Sequence, residues 1–547
     1  MMHDALVDDP ARHAIRSDLA QTFIVEAAAG TGKTTELVQR IIATLGAGAA
    51  SLPSIIAVTF TEKAAGEMKL RIRTELDRAL SSNELPPIAE QRLRLALSEL
   101  EAARISTIHG LCADLLREHP IDAQVDPGFE VIDAARTRKL VQRVFDPWFE
   151  ACVADPSEGV RRILARRRGK VRGQTPRALL FDAVLRLIDT RDFDGAVRRD
   201  AFDRGKTLHA LREALTDVSR LGERSSSTSD PLARGLRLLA RRLSQVAGDD
   251  MDGLEAVLLE LGRERDVWSR SGQGKFFAPG LLRADVAAER ERVKQLLDEG
   301  NRRSSADLAA CLHEELRAVV GLYEEEKARE GVLDFFDLLI HVRDLLRTSA
   351  SVRAGLQTRV THLFIDEFQD TDPVQSEILL LLAADDPRED DPWRARPVPG
   401  KLFLVGDPKQ SIYRFRRADI ALYERVKQHI LGRGAKLLHL STSFRALPDI
   451  QSVANAAFSA VMRGDATRGE AHYVPLASFR TARDEQPAVV ALPVPAPYGK
   501  RGDVTKTAIK ASLPDAVGAW LDWLIHKSGF VVRENGQDVP VAARHVC

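Results

Sequence analysis

Residues 25–37 read VEAAAGTGKTTEL, the end of an apolar run, a loop of small residues, Gly-Lys-Thr, and the start of a helix-like segment. In the stretch Ala27-Ala28-Ala29-Gly30-Thr31-Gly32-Lys33-Thr34, the two glycines let backbone N–H groups curl round phosphate oxygens at a helix N-terminus. Lys33 can reach the β- and γ-phosphates of a nucleotide, and the Thr34 hydroxyl can ligate Mg²⁺. The usual pattern opens with glycine where this chain has Ala27, so a plain Gly-containing strand-to-helix turn is the competing reading. Strand, phosphate loop and helix together predict an α/β fold built on a parallel sheet.

Outward from this loop the alternation repeats. Residues 53–66 give another apolar run, a turn and a helix, and residues 102–119 place a strand end before STIHG and the amphipathic LCADLLREH. From about 130 to 330 the periodicity turns helical and rich in Arg, Leu and Ala, broken by SSSTSD at 225–230. Strand signals return at HLFID (362–366), KLFLVGD (401–407) and LLHLST (437–442). A helix is expected near 448–463, then a Pro-rich stretch, LPVPAP (492–497), then the helix DAVGAWLDWLIHKSG. One sheet interrupted by a helical insertion accounts for this order.

The segment LFIDEFQDTDPVQ (363–375) ends an apolar strand with two carboxylates, Asp366 and Glu367. In a phosphate-loop enzyme one acid at a strand tip anchors Mg²⁺ and the next polarises the attacking water. A solvated turn is the bland alternative. Gln369 and Asp370, which a bare hydrolytic switch does not need, point to further coupling.

Bulk properties bound the answer. The chain has 547 residues, enough for roughly three to five domains or subdomains. No apolar run reaches membrane-spanning length and the N-terminus MMHDALVDDPARHAIRSD has no apolar signal region, so a cytoplasmic protein without a membrane contact is expected. Its four cysteines lack C-x-x-C spacing, which argues against a zinc or iron–sulfur site. Lys plus Arg and Asp plus Glu are equal at 79 each, so any surface that tracks nucleic-acid phosphate must be local.

Six segments in order carry a resemblance: VEAAAGTGKT, AVTFTEKAAGEMKLRI (57–72), STIHG (106–110), FIDEFQDTDPVQ, VGDPKQSIYRFRRAD (405–419) and LSTSFR (440–445). The chain resembles the UvrD/Rep-type superfamily 1 DNA helicases, in particular their RecB/AddA-like branch of ATP-dependent exonuclease helicase subunits. The resemblance implies a P-loop NTPase with a RecA-like parallel sheet, a large helical insertion and an incomplete second RecA-like domain. The expected boundaries are 1–125 and 331–440 for the first RecA-like domain, 126–330 for the insertion and 441–547 for the start of the second. It implies ATP and Mg²⁺ as ligands, with Ala27, Ala28, Ala29, Gly30, Thr31, Gly32, Lys33, Thr34 and Thr35 around the phosphates and Phe444 stacked on adenine. Thr34 and Asp366 would hold the metal, Glu367 would act as general base, Gln410 would sense the γ-phosphate, and Arg445 would neutralise charge on the transferring group. Phe60, Tyr413 and Phe415 would stack on unpaired bases, and Thr107, His109, Arg414 and Arg416 would touch the DNA backbone.

The function implied is an ATP-dependent helicase translocating 3′ to 5′ in recombination or repair. Single-stranded and duplex DNA and a second helicase/nuclease subunit would be its partners. A non-catalytic DNA- or partner-binding paralogue is the alternative, and a transporter ATPase or small-molecule kinase is disfavoured because the other segments have no use there.

The chain also departs from the family pattern. The family's adenine-reading glutamine aligns with Ala11, and Thr35 stands where several relatives carry arginine, which bears on adenine selectivity. The basic run RRILARRRGKVRG (161–173) reads equally as a DNA contact or as solvated surface. Residues 446–547 carry neither the later Lys-Gly motif nor the final arginine motif of the family, since Lys500-Arg501-Gly502 lacks the flanking residues. The ending GQDVPVAARHVC reads as an unfinished strand. A truncated chain is therefore expected, one that binds ATP and DNA weakly, hydrolyses poorly and does not unwind.

Overall fold

The computed structural model describes all residues except 1–5, 83–84, 167–174, 194–196, 198, 270–271, 413–416, 466–469, 483–485, 493–504, 535 and 547. Its chain divides into two compact units, one made of residues 1–122 and 342–547 and the other of residues 123–341.

The first unit is built on a six-stranded sheet. In chain order its strands are β1 (Phe23–Ala27), β2 (Ile55–Thr59), β3 (Arg104–Thr107), β4 (His362–Ile365), β5 (Leu402–Gly406) and β6 (Lys436–Leu440). In space they run β6-β1-β5-β4-β2-β3, and every neighbouring pair is parallel. The register places Phe23 beside both Lys436 and Phe403, and Ile55 beside His362. The four inner strands are near-continuous apolar runs because helices cover both of their faces, whereas the outer strands are less buried, KLLHL exposing Lys436 and His439 and RIST leaving Arg104 and Ser106 half-buried. This is the parallel α/β architecture expected from the strand–loop–helix pattern.

Helices α1 (Asp9–Ser17), α2 (Lys33–Ala47), α3 (Glu62–Ser81) and α4 (Pro87–Ser98) contribute apolar faces to one core. Ile15, Leu37, Ile41, Ile72 and Leu93 meet Phe23, Val25, Ala57, Phe364 and Phe403 there. Arg40 of α2 lies inside this layer, its guanidinium 5.1 Å from the Phe23 ring and 5.0 Å from the Phe403 ring. It donates to the carbonyls of Ile15 (2.7 Å), Asp18 (3.1 Å) and Gln21 (2.8 Å), so it ties down the loop that feeds β1. Burial lowers its pKa to about 10, and the carbonyl contacts supply what the lost water did.

The chain enters β1 at the sheet's switch point. From β1 it proceeds to β2 on one side, and from β5 it crosses to β6 on the other. Ligands of open α/β sheets sit beyond the carboxyl end of such a strand, and the phosphate loop occupies that position.

The second unit is helical. Its spine is the 48-residue helix Arg283–Glu330, about 72 Å long at the α-helical rise. Its N-terminal half packs Val286, Val293 and Leu297 into one core with helices Arg204–Arg220, Pro231–Leu243 and Met251–Arg263. Its C-terminal half packs Leu308, Leu316, Val319 and Tyr323 into another with Ala134–Ala154, Glu158–Ala165 and Pro176–Ile188. The strand Val332–Asp334 pairs in parallel with Glu130–Ile132, which carries this unit to residue 341, eleven residues past the boundary expected at 330.

Two expectations change. In the basic run 161–173, Arg161 pairs with Asp252 (2.6 Å), and Arg162, with no exposed side-chain surface, lies between Glu255 (2.9 Å) and Asp307 (2.6 Å). Arg166 faces Glu255 at 3.7 Å, and residues 167–173 lie outside the described residues. Arg162 is therefore an internal counter-charge, held because a buried carboxylate without a partner is costly, while Arg161 pairs at the surface with its side chain half exposed. The segment expected to be an unfinished strand is instead paired: Val531–Glu534 and Gln537–Pro540 form an antiparallel hairpin, with Gly536 turning at φ +83°. The helix before it runs Lys506–His526. Among the described residues no helix is long and apolar enough to cross a membrane.

Candidate functional site

The loop after β1 is shaped by its glycines. Gly30 and Gly32 have φ of +78° and +87°, the left-handed region that side chains resist, and α2 starts immediately after Gly32. Thr31 is fully buried and its hydroxyl donates to the Ala28 carbonyl at 2.8 Å, so it braces the loop from beneath. Ala27 and Ala28 are buried as well, which leaves Ala29, Gly30, Gly32, Lys33, Thr34 and Thr35 on a cavity of about 1180 Å³. The first N–H groups of α2, which a helix cannot pair internally, begin at this cavity.

The acids of the second motif reach the same loop from β4. Thr34 Oγ1 lies 3.2 Å from Asp366 Oδ2, and Lys33 Nζ lies 2.9 Å from Glu367 Oε2. Burial, and then the neighbouring Glu367 charge, push the Asp366 carboxyl up to about 6, with Lys33 and Thr34 pulling the other way. An acid so placed gains from a cation. A hydroxyl and a carboxylate, both oxygen donors, suit a hard divalent ion that completes its shell with phosphate and water. Thr34 and Asp366 thus fit Mg²⁺.

Glu367 has φ +53°, rare for a residue with a side chain. Its neighbours hold it there, since its N–H donates to Asp366 Oδ1 (3.0 Å) and its carboxylate accepts from Lys33 and from Gln369 Nε2 (2.8 Å). The turn aims the carboxylate over the phosphate loop, strain of the kind found at working sites.

Gln369 continues the line. Its Oε1 accepts the Asp407 N–H at 2.8 Å, and Asp407 in turn accepts Gln410 Nε2 at 2.7 Å and pairs with Lys409 at 3.0 Å. Gln410 faces the cavity. Asp407 and Lys409 were not among the residues singled out from the sequence, although they flank Gln410 within GDPKQ.

The far wall is the strap Ser441–Arg445. Phe444 N–H donates to the Gly30 carbonyl at 2.8 Å, and both Phe444 and Arg445 line the cavity. Strap and loop are so close that a Cβ on Gly30 would lie 2.6 Å from Arg445 Cβ and 3.3 Å from Ser443 Oγ. Gly30→Ala, strained in both backbone and contacts, should therefore cost about 1–3 kcal/mol. Nucleotide affinity should fall at least tenfold, read by melting temperature and nucleotide titration. Gly66→Ala, in α3 with nothing within 4 Å, is the control and should be neutral or slightly stabilising.

Sequence reasoning missed the α1 side of the cavity. Ala11 packs against the sheet core, and Asp9, Arg12, His13 and Arg16 line the cavity instead. Buried Arg12 forks onto Asp8 (3.0 and 2.9 Å), reaches Glu36 (3.0 Å) and the Thr31 carbonyl (2.9 Å), and sits 5.0 Å from the Phe444 ring centroid. Asp8 also accepts the Ser441 and Thr442 N–H groups, both at 2.9 Å, and the Thr442 hydroxyl at 2.8 Å. Burial alone would raise the Asp8 carboxyl, but Arg12 and Thr442 hold it below its ordinary value. The Asp8–Arg12 spacing of four on a helix start was the legible signal. Arg71 of α3 and Arg480 line the cavity too.

The expected DNA contacts divide. Phe60 directly follows β2, and His109 lies in the first turn of the helix Ile108–Glu118 after β3, so both stand at the carboxyl ends of adjacent strands. Thr107 is turned inward, donating to Glu62 Oε1 at 2.6 Å and capping that helix by accepting the Gly110 N–H at 3.1 Å. Tyr413, Arg414, Phe415 and Arg416 lie outside the described residues.

Residues 7–430 match the family model for the UvrD/REP helicase N-terminal domain. Several proteins named as ATP-dependent helicase/nuclease subunits are similar to the chain. That of Desulforudis audaxviator is 31% identical over 81% of this chain and 39% of its own length, and that of Moorella thermoacetica 30% over 92% and 38%. The one from Listeria welshimeri is 28% identical over 80% of this chain and 38% of its own length. The chain thus spans well under half the length of these curated relatives.

Proposed function

Because this chain belongs to the UvrD/REP helicase family, we propose that it carries the ATP-hydrolysing core of a DNA helicase of the AddA-like helicase/nuclease type, moving 3′ to 5′ on single-stranded DNA in recombination or repair. The observation that carries this reading is the unbroken hydrogen-bonded line Glu367–Gln369–Asp407–Gln410. It begins at the carboxylate over the phosphate loop and ends three residues before the aromatic-basic segment Tyr413-Arg414-Phe415-Arg416. A change at the γ-phosphate that displaces Glu367 or Gln410 would be transmitted along it.

In the proposed cycle Lys33 leaves Glu367 to meet the incoming phosphates, which frees that carboxylate to orient and deprotonate the attacking water. Thr34 and Asp366 would hold Mg²⁺, which when bound would offset the negative charge of the phosphates. Arg445, on the strap, would neutralise the transferring phosphoryl group, and Arg71 is a further cation on the same cavity. On the DNA side Phe60 and His109, with residues 413–416, would hold bases and backbone. Stacking contributes about 1–3 kcal/mol per base without reading sequence. Thr107 would join only by releasing Glu62. Strand separation needs two walls that alternate their grip. Among the described residues only the strap and Arg480 face the loop from the far side, so the 547-residue chain by itself should turn over slowly and not unwind duplex. A nuclease-bearing partner would complete the assembly.

The test is ATP turnover by the 547-residue chain with and without a single-stranded oligonucleotide. Stimulation of about tenfold or more supports a motor. Oligonucleotide binding with no turnover in either condition points to a binding module instead.

A further inference from the structure

We propose that the base end of the cavity holds a nucleobase by its plane and leaves its hydrogen-bonding edge unread, so that the site takes purine nucleoside triphosphates without separating adenine from guanine. The inference rests on the phosphate-loop reading above and adds to it the class of base.

Adenine and guanine differ at the six-position and its neighbour. One offers an amino donor beside an acceptor, and the other a carbonyl acceptor beside an imino donor. A site discriminates between them only with a fixed donor and a fixed acceptor side by side, and a site that binds by shape and stacking separates such pairs weakly. Among the described residues at this end few fixed groups are left to make that pairing. Arg12 is rigid, but its Nε and both terminal nitrogens already serve Asp8, Glu36 and the Thr31 carbonyl, leaving at most one of its five N–H groups. Asp9 offers acceptors only, and one oxygen is held by the Leu6 N–H at 2.7 Å. An amino or imino group of either purine satisfies it. His13 and Arg71 are exposed, and Arg480, also exposed, already spends its Nε on the Phe444 carbonyl at 2.8 Å. A mobile, hydrated donor gives up rotamer freedom on binding and adds little discrimination. The ring nitrogen such donors most easily reach, N7, is an acceptor in both purines.

The plane, by contrast, is fixed. Phe444 is tied to the loop through its N–H at 2.8 Å and to Arg480 Nε through its carbonyl at 2.8 Å. Its ring is held by Phe479, with centroids 4.8 Å apart and planes at 64°, and by the Arg12 guanidinium. Arg12, locked by Asp8, therefore acts as a positioning residue that builds the stacking platform. A purine, with the larger face, gains more from such a platform than a pyrimidine.

The experiment is equilibrium titration of the 547-residue chain, in Mg²⁺ and without DNA, with the β,γ-imido analogues of ATP, GTP and CTP and with inorganic tripolyphosphate. The ATP and GTP analogues should bind within about fivefold of each other, and the CTP analogue about tenfold or more weakly. A ratio beyond about fivefold between the purines in either direction overturns the inference while leaving the hydrolase reading intact. Absence of any triphosphate binding overturns both. Arg12→Lys keeps the charge and loses the planar fork. It should shrink the margin of purine analogues over CTP while tripolyphosphate affinity holds. Equal losses for every ligand would mean that Arg12 merely supports the fold, and would overturn its positioning role.

Discussion

Glu367→Gln should lower DNA-stimulated ATP turnover by about 10²–10⁴-fold, the range for losing a positioned general base. Nucleotide affinity should hold or rise. The two expectations come from one contact. Lys33 Nζ lies 2.9 Å from Glu367 Oε2, so a phosphate drawn to Lys33 must compete with that carboxylate. Glutamine is the same size and keeps an acceptor for the Gln369 amide, so the turn at φ +53° has no new reason to collapse. What disappears is the charge, and with it both the competitor for Lys33 and the group that takes the proton from water. Single-turnover hydrolysis alongside a binding titration separates these effects. A reduction below tenfold, or a parallel loss of affinity and turnover, would show that Glu367 shapes the loop and does not perform the chemistry.

Asp366→Asn should do something less common, abolishing Mg²⁺-dependent turnover while stabilising the nucleotide-free protein. The Asp366 carboxyl is raised from 3.8 to about 6, by burial first and then by the Glu367 charge. A shift of about two pH units corresponds to about 3 kcal/mol. Below pH 3.8 the group is protonated in both the folded and unfolded states and carries no penalty. Between 3.8 and 6 the folded state binds the extra proton, so stability falls as pH rises. Above 6 the full penalty is present, and only a bound cation relieves it. The melting temperature of Asp366→Asn should therefore exceed that of the native protein above pH 6, with the gap closing toward pH 4. Added Mg²⁺-nucleotide should narrow the gap by raising only the native protein. A variant less stable at neutral pH would mean that the carboxylate is already satisfied by Thr34 and Lys33, and the site would lose its claim on a metal. Stability given up at a working site is a familiar trade.

The phosphate loop, the acid pair after β4 and the glutamine after β5 were all legible because each is a local device. A glycine-turned loop before a helix, or an acid at the tip of an apolar strand, needs only its own few residues to declare its chemistry. The sheet was legible for the same reason, since buried parallel strands must be apolar throughout. Illegible were the alliances between distant charges. Nothing near Asp8 announces that it accepts N–H groups from Ser441 and Thr442, more than 430 residues away. Thr107 looks like a DNA contact until Glu62 is brought within 2.6 Å, and the arginines at 161, 162 and 166 look like a nucleic-acid patch until Asp252, Glu255 and Asp307 surround them.

Pattern alone therefore settled that this chain is an α/β protein with a glycine-turned loop ahead of a helix and an acid pair at a strand tip, because covalent neighbours impose backbone shape over a few residues. Which ionised side chains remain for ligands and which are consumed in holding the fold was decided only by folding. A charge leaves water only where a partner meets it, and here those partners come from the far end of the chain.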